Sequence, residues 1–176
     1  LTGLQELNLI DCSAVQGNLS SLGQLTGLRM LELWGCSKIE GDVNALSGLT
    51  KLTYLNLALC LQVRGNLSSL GALTGLQHLS LWGCWKVEGD VDALSGLTKL
   101  TYLNLLGCGR VQGDINRLSG LTKLTHLDLR RCSQVQGNLS ALSQLTALKE
   151  LRLNGCTQVE GETRRISGVL PQGNIL

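Results

Sequence analysis

Apolar and polar positions repeat every 24 residues along this chain. Seven successive copies begin at Leu1, Leu25, Leu49, Leu73, Leu97, Leu121 and Leu145. Within a copy, numbered from position 1 to position 24, Leu occupies positions 1, 4, 7 and 9, and Cys occupies position 12. A fixed interval of this length is typical of a repeat protein, in which each unit buries its apolar side chains only against its neighbours. We therefore expect one solenoid of stacked coils.

Positions 6 to 10 of each copy read x-Leu-x-Leu-x, which is the alternation of a strand with one buried face. Because the strand recurs at the same point of every copy and runs the same way, the strands should form a parallel sheet. Positions 7 and 9 should then face the core. Positions 6, 8 and 10 should point outward onto the open face of the sheet.

The second half of each copy predicts tight turns rather than long elements. Glycine at position 17 suits a backbone turn that a Cβ atom would hinder. Asn or Asp at position 18 predicts the cap of a short helical turn over positions 19 to 22, of 3-10 or irregular type. The predicted fold class is an α/β solenoid that is mostly β, with seven repeats over residues 1–168. Residues 169–176 should form a tail or partial cap, and the first coil, which has no polar cap, should be covered by a missing cap or a neighbouring chain.

The repeat motif resembles that of a known family. In the fourth copy it reads Leu76-x-x-Leu79-x-Leu81-x-x-Cys84, and the same spacing recurs in every copy. This resembles the leucine-rich repeat family over residues 1–168. The spacing from Cys36 to Ile39 is similar to the cysteine-containing subclass, whereas the Gly-Asn or Gly-Asp that follows is similar to the 24-residue plant-type subclass. The resemblance implies a curved, right-handed coil whose parallel sheet lines a concave face that commonly binds partners.

The seven cysteines indicate structure rather than chemistry. They recur every 24 residues without a Cys-x-x-Cys pair, which argues against a zinc site. If the coils stack in register, neighbouring Cβ vectors run parallel, which is the wrong direction for a disulfide. We interpret each thiol as a small inward-facing group that hydrogen-bonds weakly to backbone, and the resemblance implies the same role. No cofactor or metal is predicted, and unpaired thiols favour a reducing intracellular compartment.

Unusual side chains are concentrated at the outward positions of the predicted sheet. Aromatic residues and histidines cluster there although the core contains none, which predicts a binding surface. Cross-strand packing that stiffens the sheet is the alternative. Trp34 and Trp82 flank Ala58, and they either leave a slot above it or lean over and fill it. The predicted ligand-binding residues are Met30, Glu32, Trp34, Tyr54, Asn56, His78, Trp82, Trp85 (just beyond its strand), Tyr102, His126, Asp128 and Arg130.

The charge of the chain and its reactive side chains limit the classes of function that can be expected. A net charge of +2 is too small to indicate nucleic acid, and no apolar run is long enough to span a membrane. His126 and Asp128 have no Ser or Cys nucleophile placed beside them, so no enzyme is predicted. We predict a non-catalytic module that binds a protein or peptide on the aromatic-rich face, and a small-molecule ligand is not expected. A structural subunit of a larger assembly and a glycan-binding module remain open alternatives.

Overall fold

Residues 3–161, which the computed structural model describes, form seven stacked coils. Each coil contributes one strand to each of two seven-stranded parallel sheets. The concave sheet consists of the odd-numbered strands and the second sheet of the even-numbered ones. In chain order they are β1 (Glu6–Asn8), β2 (Gln16–Asn18), β3 (Met30–Glu32), β4 (Lys38–Asp42), β5 (Tyr54–Asn56), β6 (Gln62–Asn66), β7 (His78–Ser80), β8 (Lys86–Asp90), β9 (Tyr102–Asn104), β10 (Arg110–Asp114), β11 (His126–Asp128), β12 (Gln134–Asn138), β13 (Glu150–Arg152) and β14 (Gln158–Glu160).

A short 3-10 helix follows each of the first six strands of the second sheet, as predicted. These helices span Leu19–Leu22, Val43–Leu46, Leu67–Leu70, Val91–Leu94, Ile115–Gly120 and Leu139–Gln144. The side chain at position 18 caps the turn in five of the six coils. Asn66, for example, accepts a hydrogen bond from the backbone N–H of Ser68 at 2.9 Å. Asp90 is the exception and makes no such side-chain bond.

The second sheet is the main element that the repeat pattern did not predict. Its strands have at most five residues, and the first six of them carry a glycine, which is poorly represented in strand interiors. Its register is also shifted by two positions, so that Gly65 of β6 pairs with Val87 of β8. In the concave sheet the register is straight, and Leu55 pairs with Leu79. A β-branched side chain therefore lies beside a glycine at each step of the second sheet.

The core is a continuous column of leucines. It includes a row of cysteines, one from each coil, which we call the cysteine ladder. Cys84 is fully buried, and its Sγ donates a hydrogen bond to the carbonyl of Leu57 in the preceding coil at 3.0 Å. The same bond recurs at 2.9–3.2 Å for each cysteine from Cys36 to Cys156. All seven cysteines are free. Burial raises the pKa of Cys60 to about 12, so this thiol stays protonated at neutral pH. The predicted structural role of the cysteines is confirmed.

Predictions about both ends of the chain lie outside the described residues. These are the end of the seventh repeat up to residue 168, the tail at 169–176 and the covering of the first coil at Leu1. Within residues 3–161, no helix has the length and apolar character needed to cross a membrane.

Candidate functional site

An aromatic column crosses four consecutive strands of the concave sheet at position 6. The Tyr54 and His78 rings stack with centroids 4.2 Å apart and planes 11° apart, and the His78 and Tyr102 rings stack at 4.3 Å and 5°. His126 continues the column at 5.7 Å with a tilt of 38°. Straight register places these residues about 4.8 Å apart, close to ring-stacking distance. Burial of His78 in the column lowers its pKa to about 4, so it is neutral at physiological pH.

Glu32 anchors the N-terminal end of this column. Its Oε2 accepts hydrogen bonds from the Tyr54 hydroxyl at 2.7 Å and from Asn56 Nδ2 at 3.1 Å. Its Oε1 accepts a bond from the backbone N–H of Trp34 at 3.0 Å. Burial, together with the bond to this carboxylate, raises the pKa of Tyr54 to about 12. The carboxylate thus fixes the orientation of three neighbouring groups.

Side chains at position 8 point toward the open face but turn back onto their own backbone. Asn56, Asn104 and Asp128 each accept a hydrogen bond from the backbone N–H two residues later, at 2.9–3.1 Å. Glu32 is only 3% exposed and Asp128 only 8%. The alternation therefore predicted the direction of these side chains but not their accessibility. They shape and stiffen the surface more than they project from it.

Trp34 and Trp82 border an open depression above the centre of the face. Ala58 between them is 1% exposed, so neighbouring side chains largely cover it. A volume of about 230 Å³ remains, lined by both indoles together with Tyr54 and His78. The sequence left two possibilities for this site, an open slot above Ala58 or a slot filled by the two indoles. In the structure Ala58 is covered, and a shallow depression remains above it.

A second depression, of about 360 Å³, lies toward the C-terminal coils and is lined by Trp82, Tyr102, His126, Arg130 and Arg152. The Arg130 Nη2 donates to Asp128 Oδ2 at 2.6 Å, and its Nε lies 3.0 Å from Oδ1. Arg152 pairs with Glu150, whose other carboxylate oxygen is 3.6 Å from His126 Nε2. The charged wall of this depression is thus already internally paired.

Trp82 is common to these depressions. It is 36% exposed, and it also lines a third depression of about 670 Å³ with Arg131 and Asn154. The indole forms a ridge that divides the concave face. Glu150 and Arg152 were absent from the predicted ligand-binding set although both line the 360 Å³ depression. The signal that could have found them is their outward position on β13.

Two residues of the predicted set lie apart from this centre. Met30 is half-buried on β3, at position 6 of the second copy. It is in register with Tyr54 and extends the column away from the histidines. Trp85 is not part of the concave face. It lies beside the second sheet, with Lys86 Nζ 5.0 Å and Arg110 Cζ 5.8 Å from its ring centroid. The turn between the two sheets separates it from Trp82.

Several solved structures resemble this chain over most of its length. The functional domain of InlJ from Listeria monocytogenes, which includes a cysteine ladder, matches 93% of this chain at 24% identity with a TM-score of 0.68. Internalin C2 from L. monocytogenes str. 4b F2365 matches 97% at 23% identity with a TM-score of 0.63. The Arabidopsis receptor kinase HAESA, in complex with the peptide hormone IDA and the co-receptor SERK1, matches 88% at 20% identity with a TM-score of 0.62.

The chain has the leucine-rich repeat fold. No protein-family model and no curated protein sequence matches it. The chain spans 77% of internalin C2, but only 33% of the InlJ chain and 27% of the HAESA chain. The neighbours thus establish the coil architecture. The InlJ domain is likewise described as including a cysteine ladder.

Proposed function

We propose that this leucine-rich repeat chain is a non-catalytic module that binds a protein or peptide through its concave sheet. The observation that carries the proposal is the Trp82 indole, which stands exposed between three depressions of one face. A large aromatic side chain bordered by concave surface is the usual anchor of a protein interface. HAESA, a structural neighbour, is described in complex with a peptide hormone, which supports this class of ligand.

The surroundings of Trp82 suit recognition because they are already ordered. The stacked rings of Tyr54, His78 and Tyr102 and the bonds to Glu32 hold the floor of the face in one arrangement. A preorganised surface loses little conformational entropy on binding, so more of the contact energy appears as affinity. The aromatic column therefore serves both as packing that stiffens the sheet and as the support of the site.

The polar margin suggests how a ligand would be oriented. Asp128 and Arg130 form a bidentate pair at one side of Trp82, and Glu150 and Arg152 form a second ion pair beyond it. Paired charges at a rim direct a partner by complementary hydrogen bonds, while the apolar centre supplies most of the binding energy. An extended segment lying across β7 to β13 meets both kinds of group.

The test is selection of binders from a library of random peptides displayed on phage, followed by affinity measurements on variants. Trp82→Ala should weaken the selected peptides by about 2 kcal/mol, roughly thirtyfold in Kd. Trp85→Ala is the matched control, because it removes an exposed indole from the other sheet. The free energy of unfolding of Trp82→Ala should fall by less than about 1 kcal/mol.

Two results would contradict the proposal. One is a set of selected peptides whose affinity is the same for wild type and Trp82→Ala. The other is a loss of several kcal/mol of stability in that variant, as expected for a core aromatic side chain. A partner that cross-links to the 3-10 helices, and leaves Trp82 accessible, would favour the scaffold alternative instead.

A further inference from the structure

The second sheet carries an exposed aromatic residue that the repeat does not require. Trp85 is 47% exposed and occupies position 13, where Leu61 of the preceding coil is 39% exposed. The other coils carry Ser, Gly or Thr at this position, as in Ser37 and Gly109. Copies 2 and 4 share the motif Leu-Trp-Gly-Cys, yet Ser37 of copy 2 becomes Trp85 in copy 4. Packing of the coil therefore does not explain these two side chains.

Three cations line the depression beside Trp85. Lys86 and Arg110 lie near its ring at cation–π distance. Arg64 is in register with Lys86 on the adjacent strand, and like charges placed opposite each other destabilise a sheet. Together with Trp85 they line an open depression of about 440 Å³. Asp42 and Glu88, which line the same depression, offset part of this charge, and one positive charge remains in excess.

These cations differ from those of the concave face. Arg130 and Arg152 are both paired with carboxylates, as described above. In the part of the chain that the structure describes, no carboxylate oxygen lies within 4.0 Å of a side-chain nitrogen of Arg64, Lys86 or Arg110. Lys86 instead donates a hydrogen bond to Gln62 Oε1 at 2.6 Å. Their charge is therefore available to an incoming anion.

We propose that Trp85, Leu61 and these three cations form a second interaction surface, for an acidic peptide segment of a partner protein that carries an apolar side chain among its carboxylates. The apolar side chain packs against Trp85 and Leu61, and the carboxylates pair with Arg64 and Arg110. This surface lies on the other sheet from Trp82, and the inference does not rest on the concave-face proposal.

The margin of the depression favours a peptide over a nucleic acid. Asp42 and Glu88 line the same depression and are in register with Arg64 and Arg110 respectively. Two carboxylates would repel a regularly spaced phosphate backbone, whereas a peptide can place its charges between them. The depression spans only the second to fifth coils, which also suits a short segment.

The experiment measures fluorescence anisotropy of a labelled Gly-Glu-Glu-Trp-Glu-Glu-Gly peptide on the intact chain, at about 50 mM and about 200 mM salt. The comparison probes replace Glu by Gln, replace Trp by Ala, or are a short oligothymidylate. Trp85→Ser, which installs the residue of the sister copy, should weaken binding of the acidic peptide roughly tenfold. Trp82→Ala is the control and should leave the Kd unchanged.

A charge exchange makes the test more specific. The double variant Arg64→Glu and Arg110→Glu should lose the acidic peptide and gain the corresponding Lys peptide. Binding should also weaken at the higher salt concentration, because the charges are exposed. Circular dichroism melting curves establish that the variants remain folded.

Four outcomes would overturn the proposal. They are equal affinity for the Glu and Gln peptides, an equal loss in Trp82→Ala and Trp85→Ser, tighter binding of the oligothymidylate than of the acidic peptide, and no binding at about 1 mM protein, the weak limit of specific recognition. The third of these would assign the surface to single-stranded nucleic acid.

Discussion

The concave sheet and the second sheet are built from the same seven copies but pair their strands in different registers. In the concave sheet Tyr54 pairs with His78, so equal repeat positions lie side by side. In the second sheet position 16 pairs with position 14 of the next coil, so that Arg64 pairs with Lys86. Straight register stacks like residues into columns, whereas the shifted register places unlike residues together.

This difference decides what each face can become. Columns let one kind of side chain extend over several strands, as the rings from Tyr54 to His126 do. The shifted register instead produces a mosaic, in which a site such as that around Trp85 is confined to a few adjacent coils. It also pairs Val87 with Gly65, which combines a large and a small residue in the sheet.

The largest expected effect tests the glycine of the second sheet. Gly65 has φ of 116°, and a Cβ atom there would lie 2.2 Å from Asp42 Oδ1, the group that caps the preceding turn. Gly65→Ala should therefore cost about 3 kcal/mol of unfolding free energy, from strain and the displaced cap. Urea unfolding of wild type and Gly65→Ala measures this loss of unfolding free energy.

Gly107→Ala is the matched control in the turn after the concave strand. Its φ is 79°, but an added Cβ would meet nothing closer than 3.9 Å. The expected loss is about 1 kcal/mol, from the left-handed conformation alone. Equal losses in the two variants would show that backbone strain, and not the close approach of neighbouring coils, sets the requirement for glycine.

A pH dependence of stability, intermediate in size, is expected from His78 in the aromatic column. The pKa of His78 is lowered to about 4 from an ordinary value of 6.5, mainly by burial, and the charge of Glu32 opposes this shift. The unfolded chain takes up a proton first, so stability is unaffected above pH 6.5 and is lost as the pH falls toward 4. Relative to His78→Phe, which keeps the stack, wild type should lose about 2 kcal/mol.

Urea unfolding of both proteins at about pH 7, 5.5 and 4 gives this difference directly. A difference that stays constant over the whole range would mean that His78 is as well hydrated in the folded protein as in the unfolded chain. The stacked column would then have no electrostatic consequence.

The smallest effect concerns the left-handed residue at position 11, where the chain leaves the concave sheet. Arg131 has φ of 64°, a conformation that favours glycine, and its side chain is exposed. Arg131→Gly should stabilise the fold by about 0.5–1 kcal/mol, because relief of strain outweighs the added freedom of the unfolded chain. Thermal denaturation compared with wild type detects such a change.

Asp11 provides the control, since it has φ of 54° and Asp tolerates this conformation better than Arg. Asp11→Gly should leave stability nearly unchanged. Destabilisation of Arg131→Gly would mean that the Arg131 side chain contributes contacts worth more than the strain.

Much of the coil architecture follows from local pattern. The alternation around Leu79 and Leu81 predicted the concave strands, and Asn66 predicted the cap of the short helical turn that follows it, because strand alternation and capping act over a few residues. The turn expected at Gly65 is instead part of β6, where the glycine has a positive φ. Trp82 was also predicted on the open face, because its direction depends only on alternation within one strand. What the exposed side chains bind remains a prediction.

The second sheet, the burial of Glu32 and the separation of Trp85 from Trp82 were decided only by the tertiary structure. Each depends on how one coil is placed against the next: on the two-residue shift that pairs Gly65 with Val87, and on the hydrogen bonds between Glu32 and the neighbouring strand. The sequence by itself determined the coil and the direction of its side chains, since these are properties of one repeat. Register and accessibility are properties of adjacent repeats, and they emerge only when the coils stack.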